Sequence, residues 1–142
     1  MEIILDASAA LAWFVERSDP REAALADEVL SHVERDEARV PGIWFTEVAN
    51  GILVAERSRL ATPSKSSRFL TELAALPITE ERAQQSSIQT EVLALGRRYG
   101  LTAYDAIYLE LSLRTGLPFA TFDTHLADAV RKAGGRVFGD AG

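Results

Sequence analysis

Residues 103–113 constrain this chain more than any other stretch. Coiled as a helix, they place Ala103, Ala106, Ile107, Leu109, Leu111 and Leu113 on nearly every side. Only Glu110 and Arg114, a favourable i, i+4 pair, mark a wet edge. A helix that is apolar nearly all round must be mostly buried. Gly100 ends the element before it, and the Thr102 hydroxyl can cap its start. Gly116 closes it, Pro118 to Phe122 reads as a short apolar strand, and Asp123 follows. Two carboxylates, Asp105 and Asp123, therefore bracket the stretch. Each has an ordinary explanation: Thr102-x-x-Asp105 has capping-box spacing, and Asp123 suits a turn or a helix cap.

The rest of the chain repeats that alternation. Glu2 to Leu5 is a short run without period-two patterning, as in a strand covered on both faces, and it ends at Asp6. A helix is expected from Ser8. Ser18-Asp19-Pro20 starts another, which runs to about Asp36 with Ala26, Val29, Leu30 and Val33 inside and His32 on an exposed face. Arg39 and Val40 read as a short strand. The next helix is expected from about Thr46, with Glu47 in its first turn, where a negative charge suits the helix dipole. Apolar neighbours make Glu47 a half-buried acid that needs a partner. Thr62-Pro63 opens a helix to about Ala75, Leu76 to Ile78 is a possible minor strand, and a long helix is expected from Glu80 to Tyr99. Arg97 and Arg98 complement the carbonyl end of that helix. His125 to Ala133 reads as a short helix and Arg136 to Phe138 as a last strand. Such alternation indicates a parallel sheet with helices on both faces.

Charge and composition then limit the function. The net charge is −6, which disfavours a general nucleic-acid binder that grips phosphates with Lys and Arg. Metal ions can reverse the sign of an acidic site, so action on phosphates stays open. There is no cysteine, which excludes disulfides and thiolate metal sites. Glu2 and Asp6 break the first apolar run and no basic segment precedes it, so no signal peptide is read there. No run reaches the length of a membrane helix. A soluble, cytoplasmic protein is expected.

Asp6 and Asp123 end strands, while Glu47 and Asp105 open helices. In a parallel sheet all four can converge on one rim, the carboxyl end of the strands where open α/β folds place ligands. Two like charges about 4 Å apart repel by roughly 4 kcal/mol at an effective dielectric near 20, so such a group calls for divalent cations. Oxygen donors suit magnesium or manganese. Of the two histidines, His32 and His125, the latter is near Asp123 but reads as a surface residue.

Four motifs in order carry a family resemblance over nearly the whole length. They are I-L-D-A-S-A-A-L with Asp6 and Ser8, P-G-I-W-F-T-E-V-A-N with Glu47 and Asn50, L-T-A-Y-D-A-I-Y-L-E-L around Asp105, and G-L-P-F-A-T-F-D-T-H-L with Thr121 and Asp123. The chain resembles the PIN-domain family, most closely the VapC ribonuclease toxins of type II toxin–antitoxin modules. That resemblance implies a single PIN-like domain over residues 1–142, a three-layer α/β/α sandwich around a parallel five-stranded sheet. It implies Asp6, Glu47, Asp105 and Asp123 as catalytic metal ligands for Mg²⁺ or Mn²⁺, supported by Ser8 and Thr121, with Asn50 in helix packing or behind the ligands. It further implies single-stranded or looped RNA such as tRNA or rRNA as substrate, a VapB-like antitoxin seated in the groove, and a homodimer. Thr124 stands where the family more often has a basic residue, and Asp128 reads as a solvated helix position.

Competing readings are weaker on the residues. A haloacid-dehalogenase-like phosphatase needs a second acid where Ser8 stands, and a receiver domain needs an acidic pair at the first strand. A housekeeping PIN nuclease of RNA maturation, or a PIN module that binds RNA or a partner without cutting, remains an alternative. Phe14 and Phe45 are expected in the core, while Trp13 and Trp44 suit either the core or an interface.

Overall fold

The computed structural model describes residues 1–141. Its strands are short: β1 Ile3–Leu5, β2 Ala38–Val40, β3 Ile78–Glu80 and β4 Phe119–Ala120. They pair only in parallel, in the order β3-β2-β1-β4. Helices flank this sheet. Between β1 and β2 run α1 Ala7–Leu11 and α2 Pro20–Asp36, and α3 Ile43–Arg57 and α4 Pro63–Ala74 lead to β3. Then α5 Gln85–Tyr99 and α6 Ala103–Thr115 return the chain to the opposite edge, and α7 Thr124–Lys132 follows β4. The chain thus leaves β1 in one direction and comes back on its other side at β4. That reversal opens a crevice between the carboxyl ends of β1 and β4.

β1 is completely buried, as its unpatterned apolar run requires. The expected fifth strand is reduced to one bridge, Val137 with Phe119, held by hydrogen bonds from Phe119 N–H to the Arg136 carbonyl and from Phe138 N–H to the Phe119 carbonyl (both 2.9 Å). The sheet therefore has four strands rather than five. Glycines limit the last segment: Gly134 and Gly139 take φ of 88° and 95° on either side of it, so it cannot stay extended.

Other expectations change as well. α3 starts at Ile43, not Thr46, on Gly42, which offers no capping side chain. That start puts Trp44, Val48, Ile52 and Ala55 on the inner face and turns Phe45 out, so Trp44 is buried (3% exposed) and Phe45 is not (49%). The long helix expected from Glu80 starts at Gln85, because residues 78–80 pair with β2 and the Glu81 carboxylate accepts the next turn's N–H groups from Arg82 and Ala83. His32 is half-buried rather than exposed: its ring bonds the Met1 carbonyl (2.7 Å) and meets Phe138 edge-on.

α6 is mostly buried, as expected, but Glu110 belongs to the interior rather than to a wet edge. Its carboxylate is held by Arg114 at 2.6 Å, and Arg114 also reaches Glu81 (3.4 Å). Arg39 joins Glu81 (3.7 Å) to Glu2 (2.9 Å), so one run of alternating charges ties α6 to β3, β2 and β1. At the end of α6, Gly116 has φ of 70° with open space where a side chain would sit. Gly116→Ala should therefore destabilise the fold by about 1 kcal/mol through backbone strain alone. Gly116→Asn should cost less, because asparagine tolerates that conformation. Urea denaturation of the two variants checks both values.

Candidate active site

Asp6 follows the last residue of β1 and is 7% exposed. Its Oδ2 accepts two short hydrogen bonds, from the Ser8 and Thr121 hydroxyls, each 2.6 Å. Those hydroxyls also accept: Ser8 Oγ from Phe122 N–H and Thr121 Oγ1 from Asp123 N–H, both 2.9 Å. Each hydroxyl thus links the buried carboxylate to the backbone turn between β4 and α7. Asp123 caps α7, with Oδ1 accepting from Leu126 N–H at 3.0 Å.

Glu47 approaches from α3. It is the fifth residue of that helix rather than part of the first turn. Its partner is Tyr108, a fully buried residue of α6 whose hydroxyl donates to Glu47 Oε1 at 2.6 Å. Asp105 enters from the first turn of α6, where the Thr102 Oγ1 accepts from its backbone N–H (3.2 Å). The bonds around Thr102 and Asp123 are the ordinary caps the sequence suggests. Both carboxylates nonetheless face a shared space.

That space is a cleft of about 640 Å³ lined by Asp6, Glu47, Asp105 and Asp123 together with Ser8, Asn50 and Tyr104, among others. Thr121 stands behind its wall as a support for Asp6. Asn50 is exposed on the wall itself rather than packed between helices. His125 is exposed, and with the Thr102 hydrogen bond it partly offsets the rise that burial, Asp123 and Asp6 impose on the Asp105 pKa. Asp128, also exposed, pairs with Arg131. Arg97 and Arg98 are solvated.

Burial dominates the electrostatics. It raises the pKa of Asp6, and repulsion from Asp123 adds to the effect while the two hydroxyls oppose it. Glu47 is raised by burial and by Asp6 and Asp105, against the Tyr108 bond. Asp105 is raised by burial, then by Asp123 and Asp6. The tyrosine hydroxyl is pushed far above its usual range by burial and the nearby acids, so it stays a donor.

A cation here would meet only oxygen donors, the chemistry of magnesium or manganese rather than zinc. Asp6 keeps Oδ1, and Asp123 keeps Oδ2, outside the side-chain bonds described above. Among the described residues no three His, Asp or Glu side chains stand close enough around one point to hold a metal ion as they are. Tyr108 was the residue that sequence reasoning missed. The signal for it was the need of a half-buried Glu47 for a donor, and the hydroxyl lies in the same motif as Asp105.

Comparison with known proteins places the chain among relatives of similar length. Residues 3–132 match the family described as PIN domain. The chain is 28% identical over 130 residues to Ribonuclease VapC3 of Pyrobaculum aerophilum, an alignment covering 90% of this chain and 94% of that protein. Its fold is similar to the crystal structure of PAE2754 from the same organism, with a TM-score of 0.66 and 24% identity over 96% of this chain and 88% of the other.

The raised acids fix the sign of a pH effect. Their folded forms hold protons at a pH where the unfolded chain has released them, so their contribution to stability declines as pH rises from about 4 through the raised values. In EDTA at pH 7, Asp6→Asn should be more stable than the parent, and the gap should narrow as the pH falls toward about 4. Tyr108→Phe should lose about 1–2 kcal/mol by leaving Glu47 without its donor. Denaturant titrations across pH check the first prediction, and one at pH 7 checks the second.

Proposed function

The chain belongs to the PIN-domain family, and from that premise we propose that it is a metal-dependent endoribonuclease of the VapC type. The observation that carries this reading is the meeting of Asp6, Glu47, Asp105 and Asp123, from four separate segments, in one cleft at the carboxyl end of the sheet. Structural carboxylates usually gain cationic partners. Here three acids are raised by burial and by one another, and no Lys or Arg lines the cleft. Clustered, perturbed acids in a cleft are the mark of a functional site.

A magnesium or manganese ion bound there would supply the positive charge that stabilises the attacked phosphoryl group and acidifies a water. Asp6, Asp105 and Asp123 would hold it, with Ser8 and Thr121 keeping Asp6 oriented. Glu47 would orient the attacking water and take its proton. Tyr108 restrains one Glu47 oxygen, which leaves the other for that task. The water oxygen joins phosphorus as the bond from phosphorus to the 3′ oxygen breaks. The leaving oxygen takes up a proton, so the products are a 3′-hydroxyl and a 5′-phosphate.

The same reading makes the protein the toxin of a toxin–antitoxin pair, a cytoplasmic homodimer cutting structured or looped RNA such as tRNA or rRNA. A VapB-like antitoxin would neutralise it by occupying the acidic cleft. Among the described residues no helix is long and apolar enough to cross a membrane. Asp105→Asn should abolish the new 5′-phosphate ends seen by RNA-end sequencing after brief expression, and growth arrest with them. In vitro, EDTA should stop cleavage and added magnesium restore it. Thr121→Val, which removes both the donor to Asp6 and the acceptor of the Asp123 N–H, should lower activity about 10- to 100-fold. RNA cut equally by Asp105→Asn would overturn the assignment.

A further inference from the structure

We propose that Tyr104 is the platform on which a nucleobase beside the cleaved phosphate stacks, an inference that rests on the RNA-cleaving reading above. Tyr104 is the large aromatic residue on the cleft wall, and 61% of its surface is exposed. It precedes Asp105, so its ring sits next to one of the four acids. It also lies one helical turn before Tyr108, on the same face of α6. Tyr108 is anchored by its bond to Glu47, which fixes the side of the cleft that Tyr104 overlooks.

The chemistry of the wall points to stacking. Its residues are acids, small or aliphatic groups, the polar side chains of Ser8, Thr46 and Asn50, and this one ring, without Lys or Arg. An RNA strand cannot be gripped there through its phosphates by side-chain cations. Single-stranded RNA offers splayed bases instead, and every base has a π-face that an exposed tyrosine can hold. Phe45, an exposed ring on α3, packs edge-on against Trp44 and does not line the cleft. Tyr104 therefore acts as a positioning residue: it sets where the strand lies, while the acids carry the chemistry.

The test uses the full-length protein and a short single-stranded RNA carrying the cleavage sequence mapped by end sequencing. Tyr104→Ala should raise KM about tenfold or more, with the effect falling on KM rather than on kcat. Tyr104→Phe and Tyr104→Trp should restore binding, and Tyr104→Leu, apolar but without a ring, should not. Replacing the base next to the cut by an abasic site should cost the parent a similar factor and cost Tyr104→Ala nothing further. An unchanged KM, a Phe variant as poor as Ala, or a loss that tracks a changed oligomeric state in light scattering would each overturn the proposal. A parent protein that cuts no RNA would overturn the nuclease reading itself, a result visible before any Tyr104 variant is made.

Discussion

A carboxylate at the dry end of the central strand is held in place by two hydroxyls. Asp6 lies where β1 meets the crevice, and burial makes its charged form costly. Ser8 and Thr121 offset that cost by donating to the same oxygen. Because each hydroxyl also accepts a backbone N–H from the turn after β4, the bonds that steady the charge also join two strand ends. Removing either hydroxyl would loosen the acid and the turn that carries Asp123 together. Fold and site are thus coupled through two small side chains.

Topology explains why distant acids arrive at that point. The chain leaves β1 toward β2 and returns on the far side at β4, so the crevice between their carboxyl ends has a strand-end acid on each flank. Helices supply the other two, Asp105 from the first turn of α6 and Glu47 from the second turn of α3. α3 and α6 both enter near the rim, and the hydrogen bond from Tyr108 to Glu47 sets the distance between them. The alternating charges from Glu110 to Glu2 hold α6 against the sheet from its other end. Opposite charges are paired away from the cleft and like charges gathered in it. Under the function proposed above, that segregation would give a divalent cation the role that basic side chains play elsewhere.

Much of this was legible in the sequence because the signals were local. Asp19-Pro20 and Thr62-Pro63 marked helix starts through caps that the structure contains, and Gly100 and Gly116 marked helix ends through a left-handed backbone. The elements that were misplaced lacked such signals. α3 opens on Gly42 without a capping side chain, so no local signal marks a start three residues before Thr46 or shows that Phe45 faces outward. β3 depends on pairing with β2, a contact between residues about forty apart, and a helical pattern running on past it concealed its end. The last strand had the composition for pairing, but flanking glycines reduced it to a bridge.

For the candidate site, the sequence points to the acids and, through the family resemblance, to Ser8 and Thr121 beside them, and leaves the partner of Glu47 unnamed. Motif position points to Asp6, Glu47, Asp105 and Asp123 with Thr121 as a support, whereas the donor to Glu47 is Tyr108 of α6, a pairing between two motifs that neither one shows by itself. The two tyrosines of α6 show why this distinction matters. They are the same residue type, one turn apart on one face, yet Tyr108 is sealed in the core and Tyr104 stands open on the wall. Helical periodicity places them together and cannot separate their roles, because depth along the helix decides them. Toward the sheet, a hydroxyl serves a buried carboxylate; toward the rim, a ring faces whatever enters.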